Sequence, residues 1–121
     1  RINSSDAEAR GIKENDLVKL YNDRGAVICA AHITERVKSG IIHSRQASAV
    51  YDPVGRPGYS ADRGGCVNQL TPNRTQSLKT HSAAYNSCLI EVEKWDGKPN
   101  IGKGAGYAAE SDKKPNLMPA E

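Results

Sequence analysis

The chain has 121 residues, of which 37% are hydrophobic and 5% aromatic, with no phenylalanine and a net charge of +3. That length makes one domain with a real core, but the core has to be built from small aliphatic side chains, and some surface is expected to rest against other protein. Lysine and arginine are scattered among aspartate and glutamate rather than gathered in a stripe with aromatics, which argues against nucleic acid as a partner, and no run of about 18 apolar residues is present to span a membrane.

Asn3-Ser4-Ser5-Asp6 supplies several helix N-cap residues, and Ser5 with Glu8 has capping-box spacing. Gly11 stands where a helix ends. Residues 5–10 are therefore expected to form a short helix with Ala7 inward, after which Ile12 re-enters the core. Leu17 to Tyr21 carries β-forming residues in partial alternation and predicts a strand. Asn22-Asp23-Arg24-Gly25 predicts a hairpin turn with Gly25 at positive φ. The return strand is expected over Ala26 to Thr34, and its apolar run from Ala26 to Ala31 points to burial on both faces. A turn at Val37 to Gly40 leads to a third short strand, Ile41 to Ser44.

A long polar stretch, Gln46 to Ser82, comes next. It is rich in Gly, Pro, Asn and Ser and almost without hydrophobic periodicity. A connection of this length in a compact domain is functional or disordered, and loops on a rigid scaffold are where binding groups concentrate. Within it, Val67 to Thr71 predicts one helical turn stopped by Pro72, and Gln76 to Thr80 a second. Ser87 to Trp95 predicts the last strand, with Cys88, Ile90 and Val92 on one face. From Asp96 to Glu121, glycine and proline break any regular element, and an irregular or disordered tail is expected; the alternative is a strap anchored by Tyr107 and Leu117-Met118. Short strands, tight turns and one short helix suggest a small β-barrel, whose closure removes exposed strand edges. The start at Arg1, without methionine, suggests a piece of a longer polypeptide.

The chemistry-bearing residues point to binding before catalysis. Cys29, Cys66 and Cys88 are odd in number and widely spaced, which gives no disulfide framework or metal knuckle; Cys29 and Cys88 are expected to act as small buried hydrophobes. His32, His43 and His81 share no ligand spacing, so no metal site is expected. Cys66 with His81 downstream could form a nucleophile–base pair, though the spacing does not demand it. Asp52 and Asp62 could serve as acid and base, yet aspartate before proline is ordinary turn chemistry. Gly64-Gly65 does not sit between a strand and a helix as phosphate-cradling glycines do. By contrast Asn68, Gln69, Asn73, Gln76, Ser77, His81, Ser82, Tyr85 and Asn86 are neutral hydrogen-bonding groups. The planar amides carry donor and acceptor together, which suits the edge of a heterocycle such as guanine or a pterin, and Arg63 and Arg74 could meet phosphate. A plain solvated loop is the alternative.

Four stretches carry a resemblance. They are Asn3 to Ile12, Asp16 to Gly25, Tyr51-Asp52-Pro53, and the run from Gly65-Cys66-Val67-Asn68-Gln69-Leu70-Thr71 on to Ile90–Trp95. In this order, over residues 2–95, the chain resembles the C-terminal molybdopterin-dinucleotide-binding domain of the dimethyl-sulfoxide reductase superfamily, the molybdopterin oxidoreductases. The Tyr-Asp-Pro and Asn-x-Leu-Thr elements are most similar to the sulfoxide and amine-oxide reductase branch. Thr75-Gln76-Ser77 and His81-Ser82 depart from that branch, where Gly-Thr-Ser and Gln-Gly are usual.

The resemblance implies a mostly β fold, a double-psi β-barrel of the aspartate-decarboxylase-like type over residues 1–95, with short helices and the irregular tail over 96–121. It implies a domain that closes over molybdopterin guanine dinucleotide, in the bis form with molybdenum or tungsten, in an oxidoreductase of anaerobic respiration. The partners it implies are the cofactor and upstream domains of the same polypeptide, which supply the metal's protein ligand; the bacterial periplasm and cytoplasm both fit. Asn68 matches the family's cofactor-contacting asparagine, and His81, Ser82, Tyr85 and Asn86 fall in the loop that meets the cofactor before the last strand. Asp16 and Asp52 are expected to be structural. No catalytic residue and no metal ligand are assigned, and the isolated domain is expected to have no turnover. The alternatives are a self-contained small enzyme of decarboxylase-like barrel, which would need a Gly-Ser bond for self-cleavage that this sequence lacks, or a ligand-free interaction module.

Overall fold

The computed structural model describes residues 1–45, 50–72, 79, 86 and 88–97. Within them the protein is mostly β, with few helices. Helix α1 (Ser4–Ala9) is followed by strands β1 (Leu17–Tyr21) and β2 (Ala26–Ala30), a 3-10 turn (Val67–Leu70) and strand β3 (Glu91–Lys94). The strands form one antiparallel sheet in the order β2-β1-β3.

Helix α1 starts earlier than the capping-box spacing predicts, because Asn3 rather than Ser5 is the cap. Asn3 has extended backbone, and its Oδ1 accepts from the Ser5 amide at 3.0 Å and the Ser5 hydroxyl at 2.7 Å. Its Nδ2 donates in the other direction, to the Val37 carbonyl at 2.8 Å. An amide satisfies both sides of this buried position; a serine hydroxyl at position 5 could not reach the second. Gly11, at φ +63°, ends the helix as its position predicts. Ala7 is fully buried and Ile12 nearly so.

Strand β1 has the predicted bounds, and its alternation sorts the sheet into two faces. Val18 and Leu20 lie opposite Cys29 and Val27 of β2, and Leu20 also lies opposite Val92 of β3. With Ile2, Ala7, Ile12, Ala31 and Leu70 they make the larger core, against which Ile90 packs. Ala26, Ile28 and Ala61 make a smaller core on the other face, with Tyr21, Val54 and Trp95 packed on it. The expected burial of β2 on both faces is observed over Ala26–Ile28, while Cys29 is half-buried and Ala30 exposed. On the second face Lys19 is buried to 5% exposure; its ammonium meets Glu93 and lies 4.9 Å from the centre of the Tyr21 ring, so the buried charge has a counter-ion and a π face.

Three sequence expectations need correction. β2 ends at Ala30 rather than Thr34, because the chain turns off to form a single parallel bridge between Ile33 and Ile2. Residues 41–44 are not a strand; Ile42 packs on the larger core, and His43 pairs with Arg1 in both directions, its amide donating to the Arg1 carbonyl at 3.1 Å and its carbonyl accepting from the N-terminal nitrogen at 2.7 Å. β3 starts at Glu91, and Leu89 before it is 90% exposed. The expected helical turn at Gln76 to Thr80 lies outside the described residues but for Lys79, as does the expected tail but for Asp96 and Gly97.

The first part of the polar stretch is threaded into the core rather than displayed. Asp62 and Val27 form a parallel bridge, with the Ile28 amide donating to the Asp62 carbonyl and the Asp62 amide to the Ala26 carbonyl, each at 2.9 Å. Ala61 beside it is fully buried, as is the Asp62 side chain. Among the described residues no cation pairs with the carboxylate. Its Oδ1 accepts from the amides of Asp52 at 2.7 Å and Gly64 at 2.9 Å, and its Oδ2 from that of Cys66 at 2.8 Å. Three backbone donors converging on one buried carboxylate hold the loop in a single shape.

Exposed carboxylates tie the remaining turns. The Lys94 ammonium, then the Lys13 amide, hold Asp16 below the usual carboxylate range. His32, then the Ile33 amide, do the same for Glu14. Because the folded-state values lie below the unfolded ones, the stability these groups contribute is present above the ordinary carboxylate pKa and is lost as pH falls through the folded values. The melting temperature is expected to hold from pH 7 to about 5 and to drop below about pH 4. In Asp16→Asn it starts lower and falls less steeply over that acid range, which thermal unfolding across pH checks.

Candidate functional site

The predicted helical turn around Asn68 exists, and the β1–β2 connection is what holds it. Asn22 Oδ1 accepts from the amides of Arg24 at 2.9 Å and Gly25 at 3.3 Å, which shapes the connection as an Asx turn. Asn22 Nδ2 then donates to the Leu70 carbonyl at 2.8 Å and the Leu89 carbonyl at 3.2 Å. Arg24 Nε adds a bond to the same Leu70 carbonyl at 2.9 Å. The C-terminal end of the Val67–Leu70 turn and the approach to β3 are thereby tied to one asparagine.

Gly25 does not take positive φ, contrary to expectation. It lies close against the turn instead: a Cβ there would sit 3.4 Å from both the Cβ and the carbonyl oxygen of Gln69, at the near limit of ordinary contact. At the N-terminal end of the turn the Cys66 amide is held by Asp62, and Thr71 closes the turn with its amide and hydroxyl on the Asn68 carbonyl at 3.3 and 2.9 Å. Sequence reasoning took Asn22 to Gly25 as a hairpin turn and missed that Asn22 and Arg24 position the Asn68 loop. The signal was available: a two-strand hairpin needs no arginine, and Asn-x-Arg-Gly is more than tight-turn chemistry requires.

This arrangement presents Asn68 outward. The residue is exposed, and among the described residues no hydrogen bond is made by its side-chain amide, which carries both a donor and an acceptor. Beside it, the Nε2 of Gln69 is buried without a hydrogen-bond partner. A buried amide donor left in that state is unusual, and it marks the turn as a place where a polar partner remains to be supplied. The donor set fits a flat heterocycle carrying its own donors and acceptors. Asn86 stands at an exposed turn position three residues before Leu89. His81, Ser82 and Tyr85 lie outside the described residues, as do Asn73, Arg74, Gln76 and Ser77.

The acid–base alternative loses its groups. Asp62 is buried and bonded at both oxygens. Asp52 accepts from Arg63 Nε at 2.6 Å; that contact holds the Asp52 carboxyl below its ordinary range and engages one nitrogen of the guanidinium that was a candidate for phosphate. Burial pushes the Cys29 thiol up, whereas the Cys66–His81 pairing is not placed, because His81 lies outside the described residues.

Comparison with known proteins gives the family. The model described as "Molydopterin dinucleotide binding domain" matches residues 1–89. The chain belongs to that family. It is 58% identical over 97 residues to the pyrogallol hydroxytransferase large subunit of Pelobacter acidigallici, a match covering 80% of this chain and 11% of that protein. It is 36% identical over 97 residues to trimethylamine-N-oxide reductase of Vibrio vulnificus, covering 80% of this chain and 12% of the relative. To a dimethyl sulfoxide reductase of Escherichia coli it is 38% identical over 93 residues, covering 77% and 11%. The chain thus spans about a tenth of the length of the curated relatives it matches. The expected resemblance holds, and the cofactor it implies is molybdopterin guanine dinucleotide.

Proposed function

We propose that this chain is the C-terminal, cofactor-closing domain of a longer molybdenum or tungsten oxidoreductase, and that it binds molybdopterin guanine dinucleotide through the Asn68 turn. The observation that carries this is the exposed Asn68 on a turn fastened at both ends, by Asp62 through Cys66 and by Asn22 and Arg24 through Leu70. His81, Ser82, Tyr85 and Asn86 extend the contact from the segment before β3. The sheet with its two cores is then part of a double-psi barrel over residues 1–95, with 96–121 as a separate tail.

When bound, the cofactor supplies the metal centre and its redox chemistry; the protein's part is to hold and orient it. Asn68 holds a heterocycle edge through its paired donor and acceptor, while Asn22 and Arg24 keep the turn from drifting. Metal ligands come from elsewhere in the polypeptide, and the isolated domain has no turnover.

In the full-length polypeptide Asn68→Ala is expected to retain the cofactor about tenfold less tightly, the equivalent of about 1.4 kcal/mol of lost hydrogen bonding. Its melting temperature should be unchanged, because the side chain supports nothing in the fold. Cofactor content after extensive dialysis checks this; content equal to wild type would favour a ligand-free interaction module.

A second reading concerns the reaction. Identity of 58% to a pyrogallol hydroxytransferase subunit, against 36% and 38% to the two reductases, favours hydroxyl transfer between phenols over sulfoxide or amine-oxide reduction. Turnover of pyrogallol, trimethylamine N-oxide and dimethyl sulfoxide by the full-length enzyme separates the two.

A further inference from the structure

The residues of β3 and its approach repeat with a period of two. Ile90 and Val92 both pack on the larger core, while Glu91 and Glu93 stand across from Tyr21 and Lys19 on the other face. A slip of one residue would turn every side chain to the wrong face, whereas a slip of two keeps each on its own. Moved by two, Ile90 would stand opposite Leu20, Val92 opposite Val18, and Glu91 would replace Glu93 opposite Lys19. The apolar alternation, the backbone ladder and a counter-ion for the buried Lys19 are common to both alignments. Slipped the other way, Lys94 would enter the core opposite Leu20, so only one direction is open.

Three contacts at the strand's ends distinguish the two alignments. Asn22 Nδ2 donates to the Leu89 carbonyl at 3.2 Å. The Lys94 ammonium meets Asp16 Oδ2 at 2.9 Å. Trp95 packs on the smaller core, its amide on the Leu17 carbonyl at 2.9 Å. The slip breaks the first two and draws Trp95 off its place, but it brings the exposed Leu89 opposite Tyr21, which recovers apolar burial.

We propose that β3 has a second register, two residues along β1, and that Asn22, Asp16 and Trp95 are the pins that select the observed one. The slip is about 7 Å. It draws Asn86, three residues before Leu89, the same distance toward β1. The position of the strand therefore sets where the segment before it stands relative to the turn that Asn22 holds. This is a property of the sheet, and it does not depend on what Asn68 binds.

The test is disulfide trapping in the full-length polypeptide, with Cys29→Ala throughout because Cys29 faces Val18. Val18→Cys with Lys94→Cys reports the observed register. The Trp95–Leu17 bond makes Val18 and Lys94 a non-hydrogen-bonded pair, with Cα atoms about 4.5 Å apart. Val18→Cys with Val92→Cys reports the slipped register. In the observed one that pair is diagonal, about 7–8 Å apart, at or beyond the reach of an unstrained disulfide. The pins are released by Asn22→Asp, which keeps the oxygen that shapes the β1–β2 turn and removes the Nδ2 donor, together with Asp16→Asn. Mild oxidation and mass spectrometry of the peptides read the yields. The disulfide between positions 18 and 92 is expected to rise about tenfold on release, the combined worth of one hydrogen bond and one exposed ion pair. Glu91→Lys sets a second cation against Lys19 in the slipped register alone, and it is expected to abolish the rise. A disulfide between positions 18 and 94 only, before and after release, would overturn the proposal. So would the loss of both disulfides on release, which means an unpaired strand rather than a second register, and so would a rise that Glu91→Lys leaves untouched.

Discussion

Asp62→Ala is expected to cost roughly 3–6 kcal/mol of stability, since three buried backbone donors lose their acceptor at about 1–3 kcal/mol each and water recovers part of the loss. Against a total of about 5–15 kcal/mol for an ordinary domain, that is enough to leave much of the protein unfolded at physiological temperature. Asp62→Asn preserves the volume and leaves one oxygen to accept from Asp52 and Gly64. It then turns an amide N–H toward the Cys66 N–H, so it is expected to lose about half as much. Denaturant unfolding of the three proteins checks the order wild type, Asn, Ala. An Ala variant as stable as wild type would show that the loop does not depend on this carboxylate. The consequence reaches the candidate site, because the Cys66 amide that Asp62 holds is the start of the Asn68 turn.

Gly64→Ala is expected to cost about 2–4 kcal/mol for a different reason. A Cβ on Gly64 would run into the carbonyl oxygen of Val50 and crowd Asp62 Oδ1 at 3.0 Å. Neither atom is the free end of a flexible side chain, so the backbone itself must move. Gly65→Ala is the control. Gly65 sits at φ +72°, but a Cβ there meets only ordinary contacts, the nearest being the Ile28 carbonyl at 3.8 Å. It should cost about 1–2 kcal/mol, the ordinary penalty for a left-handed alanine. Protease cleavage between residues 50 and 66 is expected to rise sharply in Gly64→Ala and little in Gly65→Ala; equal rates would mean that close approach does not decide the first.

Much of the fold was legible because it is local. The β1 residues Leu17 to Tyr21 alternate, Gly11 stops a helix, and the apolar run in β2 marks a strand covered on both sides; each signal needs only its neighbours. What was not legible depends on residues far away. Nothing near Asn3 says that its amide will also reach Val37. The composition around Ala61 and Asp62 is that of a surface loop, and only the place of those residues beside Val27 makes them core. The site divides the same way. Asn68 was proposed from a motif, whereas Asn22 and Arg24 were read as turn residues because their partners, Leu70 and Leu89, are remote. The acid–base reading of Asp52 and Asp62 failed on the same ground: the groups that occupy them could not be seen from the sequence.

The Asn22 amide joins carbonyls 48 and 67 residues further along the chain. Contacts of such separation form late, since the intervening chain must first be closed into loops. During synthesis the Asn68 turn and both of its fastenings therefore leave the ribosome before Leu89, and the tie from Asn22 to the approach to β3 forms only once that residue has been added. A polypeptide interrupted before that residue would carry the whole Asn68 motif and still lack the tie between it and the last strand.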